Sequence, residues 1–321
     1  MKTILITGIG GDIAQSIATI IKESRPNVRL IGTDVNLEHA GFVFVDKFFQ
    51  VPMASSNSYL EQIRALIKAH AVDVIIPTNE QELSVFHPIM KELEDRCITA
   101  GEKIISIGID KLKTINFIES LKLPVPWTFP AESTSFLEFP CIFKSKTGSG
   151  SKNIFIVENE TDAAFFSSKF PGSIFQELLE PADQEVTCAV YRAKNGKVAV
   201  LQLLRKLTGG LTGWAKVIND SAVESMCKRI AKGMDLYGSF NIQLRITEDG
   251  PKVFEINPRF SSTVLMRHRL GFCDLLWALD EASGKEISFP DIAINQIMVR
   301  TQDVKKIDKS IFPGLQGGPH E

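Results

Sequence analysis

Glu255 and Asn257 stand two residues apart in KVFEINPRFSS, and Gln243 lies in FNIQLRI on the far side of the turn Glu248-Asp249-Gly250. Both runs alternate. In the first, Phe240, Ile242, Leu244 and Ile246 share one face and Asn241, Gln243 and Arg245 the other. In the second, Phe254 and Ile256 are placed on the apolar face, with Val253, Glu255 and Asn257 opposite. The pattern predicts an antiparallel hairpin over 240–257. A three-residue loop ending in a left-handed Gly250 sets Gln243 directly across from Glu255. Gln243, Glu255 and Asn257 then present oxygens on one face, the donors a hard cation such as Mg²⁺ takes when substrate phosphates complete its shell. A bare E-x-N on a hairpin is more often a solvated polar face. The continuation NPRFSS tips the balance, because Arg259, two residues on, is placed to hold a transferring phosphoryl group.

A second cluster lies in CIFKSKTGSGSKNIFIV, where Lys144 precedes the turn Gly148, Ser149, Gly150. Small residues between two strands let backbone N–H groups approach phosphate oxygens, and Lys144 adds positive charge. The spacing is not that of a Walker A loop, and a Gly/Ser turn alone is more often only a hairpin. GIGGDIA after the first apolar run, with Asp34 closing a later one, is a partial match to a dinucleotide fingerprint. Ile13 or Ala14 stands where its third small residue belongs, and a structural turn is the favoured reading, a substrate contact the next and a bound dinucleotide the last. In PTNEQEL, Asn79, Glu80 and Glu82 either face a crevice or cap a helix, with capping preferred for Asn79. Arg205 and Lys206, before TGGLTG, are candidates to grip an anionic substrate, with a plain surface loop equally open. The five histidines form no ligand-spaced set, and Cys188, alternating with Val186 and Val190, reads as core.

The elements that must position these residues change character along the chain. Apolar runs at 3–7, 28–34, 72–78 and 103–108 read as strands. They are separated by helical patterns at 13–21, 59–69 and 80–94, and this alternation predicts a doubly wound parallel α/β domain over 1–108. Beyond it, 110–121 reads as a helix stopped by Pro124 and Pro126, and CIFKSK, NIFIVE, SIFQELLE, EVTCAVYR and KVAVLQLLR read as strands. Residues 223–236 read as a helix before the 240–257 hairpin. At 321 residues, two or three packed domains are expected.

Composition bounds the partners. A net charge of −2 with 44% hydrophobic and 23% charged residues offers no electrostatic reason for nucleic acid or an anionic membrane. Five dispersed cysteines without CxxC spacing argue against zinc or iron–sulfur ligation and fit reduced thiols in a cytoplasm. No stretch approaches the ~20 apolar residues of a membrane-spanning helix.

PCIFKSKTGSGSKNIFIV, FQELLEPADQEVTCAVY and FNIQLRITEDGPKVFEINPRFSS together resemble, in order and spacing, the ATP-grasp ligases, most of all their carbamoyl-phosphate-synthetase-like branch. DKLKTINFIESLKLPVPWT is similar to the helix that opens that fold. The resemblance implies an N-terminal Rossmann-like domain (1–108), an ATP-grasp small lobe with a Gly/Ser lid (109–175) and a large lobe with the metal site (176–321). It implies ATP phosphate contacts from Lys111 and Lys144 and a lid of Gly148, Ser149 and Gly150. It implies a hinge at Gln176, Glu177 and Leu179 reading adenine, and ribose contacts from Glu185, although the hinge-to-Glu185 spacing is about two residues longer than the family's. Mg²⁺ or Mn²⁺ would be held by Gln243, Glu255 and Asn257, with Arg259 at the γ-phosphate; where the family often has an acid, this chain has Gln243. The implied reaction activates a small-molecule carboxylate as an acyl phosphate for attack by an amine. Alternatives are activation of bicarbonate or carbamate, a non-catalytic ATP-binding protein, and an NAD-dependent oxidoreductase that leaves the second half unexplained. A single ATP-grasp unit without a recognisable glutaminase disfavours full carbamoyl phosphate synthesis. The expectation of a homodimer rests on the family alone.

Overall fold

Every residue of β1 (Thr3–Thr7) is buried, as a central strand covered on both faces requires. A computed structural model of the chain describes residues 1–86, 89, 93, 96–133, 137–148 and 153–307. With β2 (Arg29–Asp34), β3 (Lys47–Gln50) and β4 (Val74–Ile76), β1 forms an all-parallel sheet in the order β3-β2-β1-β4. Helices α1 (Asp12–Ser24), α2 (Tyr59–Ala69) and α3 (Glu80–Phe86) connect and cover it. The doubly wound arrangement expected from the alternation is thus present. Most of the expected helix beyond residue 86 lies outside the described residues.

The run KIISIG is not a strand. It forms α4 (Glu102–Gly108), with Ile104, Ile105 and Gly108 buried at helical spacing. Gly101, at φ +95°, turns the chain into it, and a side chain at Gly108 would meet Pro258 at 3.1 Å. The sheet is extended instead, among the described residues, by an isolated parallel bridge between Ile75 and Cys97.

The next layer is an antiparallel sheet in the order β5-β8-β6-β7, built from β5 (Thr128–Pro130), β6 (Cys141–Ser145), β7 (Phe155–Val157) and β8 (Ser173–Glu177). Helix α5 (Lys111–Ser120) leads into it, and α6 (Glu160–Lys169) packs Phe166 against Phe143 and Phe155. A six-stranded sheet follows, in the order β13-β12-β9-β10-β11-β14. Its strands are β9 (Glu185–Arg192), β10 (Val198–Thr208), β11 (Leu211–Ile218), β12 (Gly238–Thr247), β13 (Gly250–Asn257) and β14 (Ile297–Val299). Helix α7 (Ser221–Gly233) covers one face, burying Val223, Cys227 and Ile230 with Cys188, while α8 (Val264–Arg269) and α9 (Asp274–Ala282) reach the first domain. The core there is shared: Ile4, Ile6 and Ile17 pack in one cluster with Phe260, Val264 and Leu275. TGGLTG is shorter as a loop than its composition suggests. Thr208 pairs with Leu211, so only Gly209 and Gly210, both at positive φ, make the turn. No helix of the described residues is long and apolar enough to cross a membrane.

The central hairpin keeps the expected pairing by an unexpected route. Gln243 does lie across from Glu255, but Thr247 pairs with Gly250, which leaves a two-residue turn. A bulge restores the register: Leu244 pairs with Val253, and Phe254 is the extra residue. Val253 therefore enters the core beside Leu244, opposite to its expected face, and Phe254 turns toward Lys144.

Candidate active site

The side chains with chemistry meet in one cavity of about 670 Å³, between the six-stranded sheet, the small sheet and the carboxyl ends of the parallel strands. Its walls include Lys111, Lys144, Gly148, Gln243, Glu255, Asn257 and Arg259 from the second half of the chain, and Gly8, Gly11, Asp34, Thr78 and Glu80 from the first.

Asp110 caps α5 by accepting from the N–H groups of Leu112 and Lys113 at 3.0 and 3.1 Å, which fixes the first turn that carries Lys111. The Lys111 ammonium donates to the Gly148 carbonyl at 2.7 Å and lies 3.9 Å from Glu255 Oε1. Lys144 projects from β6 into the protein with 6% exposure, its Nζ 5.4 Å from the Phe254 ring centre. Burial pushes its ammonium down to about 8; Glu255 opposes the fall and Lys111 adds to it. On β13, Glu255 and Asn257 point the same way because they alternate. Asn257 is 2% exposed, and its amide nitrogen has no partner. Arg259 donates to the Phe260 carbonyl at 3.0 Å and sits 3.5 Å from Glu80 Oε1 across the domain boundary.

Glu185 lies behind this wall. Arg205 donates to its Oε1 through Nε and a terminal nitrogen at 2.9 and 2.6 Å, and Arg245 donates to its Oε2 at 2.8 Å. Arg205 also donates to Gln243 Oε1 at 3.0 Å. The residues expected to form a hinge, Gln176, Glu177 and Leu179, are not part of this cavity's lining. Gln176 donates to Thr128 Oγ1 at 2.9 Å, Lys252 pairs with Glu177 at 2.7 Å, and the Leu179 carbonyl accepts from Arg245 at 2.6 Å. Ser149 and Gly150 lie outside the described residues. Lys206 is exposed over Trp214 and does not reach the cavity.

In the first domain, Asn79 caps α3: its Oδ1 accepts from the Glu82 N–H at 2.9 Å. The Gly-rich loop is tied down by Asp34, which accepts from the Gly10 N–H at 2.9 Å. Sequence reading did not single out Ser261 and Ser262, which line the cavity just past Arg259, or Asp12, which pairs with Arg300 at 2.5 Å. The two serines close NPRFSS, so proximity to the motif was their only signal. The Asp12–Arg300 pair spans most of the chain and leaves no local trace.

One carboxylate and one amide oxygen, Glu255 and Asn257, suit a Mg²⁺ ion that arrives with phosphate oxygens and water. Among the described residues no group of three or more His, Cys, Asp or Glu is placed to hold a metal unaided. The donor set therefore fits a cation delivered with a nucleotide.

The profile of the ATP-grasp domain matches residues 109–263, and that of the PylC-like N-terminal domain matches 4–100. A carbamoyl-phosphate synthase of Methanobrevibacter smithii is 22% identical over 310 residues, covering 88% of this chain and 82% of its own. Among solved structures, the ADP complex of PurK, an N5-carboxyaminoimidazole ribonucleotide synthetase, superposes with a TM-score of 0.74 at 19% identity, covering 93% of this chain and 81% of that one. The biotin carboxylase domain dimer of Hydrogenobacter thermophilus 2-oxoglutarate carboxylase, solved with MgADP and bicarbonate, gives 0.73 at 15% identity over 92% and 73%.

Proposed function

We propose that this chain is an ATP-grasp enzyme, as its match to the ATP-grasp domain over residues 109–263 supports, and that it acts as an ATP-dependent carboxylate–amine ligase working through an acyl phosphate and releasing ADP and phosphate. The observation that carries this reading is convergence. Lys111 at a helix start, Lys144 on the small sheet, Glu255 and Asn257 on β13 and Arg259 beyond it reach one cavity from separate elements.

Glu255 and Asn257 would hold Mg²⁺ or Mn²⁺ beside Gln243. Bound there, the ion would supply charge neutralisation to the phosphates. Lys144 and Lys111 offset negative charge on the nucleotide, and Arg259 does so at the γ-phosphoryl group as it passes to the substrate carboxylate oxygen. The carbonyl carbon of the resulting acyl phosphate is attacked by the amine nitrogen. The C–O bond to phosphate breaks, and an amide forms with loss of a proton. Gly148, whose carbonyl accepts from Lys111, would stand at the phosphates as the first residue of the expected lid. Backbone groups of Glu177 and Leu179 would take the adenine edge at the hinge they form with Gln176. Glu185, already held by two arginines, would meet a ribose hydroxyl only at its remaining lone pairs. We place the enzyme in the cytoplasm as a homodimer with small-molecule substrates. Its likeness to a carbamoyl-phosphate synthase supports bicarbonate or carbamate as a second reading of the acid.

The test is incubation of the full chain with ATP, Mg²⁺ and pools of carboxylates, bicarbonate and amines, with product analysis. Substrate-dependent ADP and phosphate are expected, reduced at least about a hundredfold by Glu255→Ala or Lys144→Ala. AMP and pyrophosphate would sink the acyl-phosphate route. Nucleotide binding without turnover in any pool would favour a binding protein.

A further inference from the structure

Arg205 is a firmly held cation of the cavity wall, and the chemistry above gives it no task. It stands near the end of β10 with 8% exposure. Strand order explains its setting. β9 runs between β10 and β12, and the registers bring Arg205, Glu185, Gln243 and Arg245 to one sheet face. Glu185 takes two hydrogen bonds from the guanidinium and Gln243 Oε1 takes a third, so the plane of Arg205 is fixed before any ligand arrives. Among the described residues the remaining terminal nitrogen meets Thr212 Oγ1 at the long distance of 3.5 Å, and Arg205 forms part of the cavity wall.

The same contacts bear on Gln243. Its amide carries no charge to offset a divalent ion. Its oxygen already accepts from a guanidinium, so a metal bound to that oxygen would face a fixed positive charge across a single atom. The acceptors left on that wall are Glu255 and Asn257. An arginine keeps its charge at every pH of interest and presents a planar set of donors matched to phosphate oxygens.

We propose that Arg205 stands where a second cation would otherwise be needed: with nucleotide bound, the site carries one divalent ion, at Glu255 and Asn257, and the Arg205 guanidinium supplies further charge to the phosphates. Gln243 is then a positioning residue that aims Arg205, in place of the metal ligand expected from sequence. This rests on the ATP-binding reading above.

The experiment is a Mn²⁺ titration of the full chain saturated with a non-hydrolysable ATP analogue, followed by electron paramagnetic resonance, with analogue binding scored separately by calorimetry. One Mn²⁺ per bound nucleotide is expected, and two would overturn the inference while leaving the ligase reading standing. Failure to bind the analogue at all would overturn both. Arg205→Gln is expected to weaken the analogue by roughly ten- to a hundredfold, the loss of one charge-assisted contact, with partial rescue in Arg205→Lys. Unchanged affinity in a folded Arg205→Gln variant contradicts the inference. The wild-type stoichiometry needs no variant to fold.

Discussion

Lys144 sits under opposed influences, and their balance sets a pH dependence. Burial lowers its ammonium from the usual 10.5 to about 8, Lys111 pushes the same way, and Glu255 resists. In the free protein, raising pH through about 8 removes the proton that a phosphate group needs to find there. Nucleotide affinity should therefore decline from about pH 7 to about pH 9, with proton uptake on binding appearing in that window. Calorimetry in buffers of different ionisation enthalpy reads both, and Lys144→Arg should flatten the profile. A wild-type profile already flat would contradict the role. For folding the sign is reversed: the native state gives up the proton first, so this group favours the folded form increasingly between about 8 and 10.5.

At the scale of elements, Glu82 ties three of them together. Its carboxylate accepts from Thr7 on β1, from the Tyr59 hydroxyl on α2 at 2.7 Å and from Asn79 at the start of α3 at 2.6 Å. Burial pushes its pKa from 4.5 up to about 7. Between those values the native state holds a proton that the unfolded chain releases, so the contribution of Glu82 to stability falls as pH rises through that window. Melting temperatures of Glu82→Gln, compared with wild type from about pH 4 to about pH 8, should show the variant gaining on wild type as pH rises. Parallel curves would contradict this. Much at this scale was legible: the first strands and helices follow apolar periodicity, and Glu255 and Asn257 share a face by alternation, while Gln243 opposite Glu255 came from an assumed three-residue loop and is reached instead through a two-residue turn and a bulge. What failed did so for physical reasons. KIISIG is apolar enough for either state, and in the fold Ile104, Ile105 and Gly108 are buried at helical spacing. The bulge at Phe254 inserts one residue that a period-two reading does not register. The Arg205–Glu185–Gln243 network joins residues on three strands, and only the sheet order reveals it.

Across the whole molecule, the cavity exists because two domains share a core and several ion pairs. Arg300 meets Asp12, Arg259 faces Glu80, and Arg25 pairs with Asp280 at 2.8 Å, around the cluster that joins Ile6 and Ile17 to Phe260 and Leu275. The first domain thus supplies one wall of the cavity, with Gly8, Asp34 and Thr78, while the second supplies the charges suited to phosphate. Composition and net charge carry no trace of this division, because acids and bases of the site nearly balance. The central claim is that a phosphoryl group passes to a carboxylate oxygen inside this cavity. It is tested most directly with an ¹⁸O-labelled carboxylate that supports turnover, following the label by mass spectrometry of the released phosphate. One ¹⁸O per phosphate is expected, carried over when the acyl phosphate is broken by the amine. Phosphate free of label, released together with the amide product, would contradict the acyl phosphate.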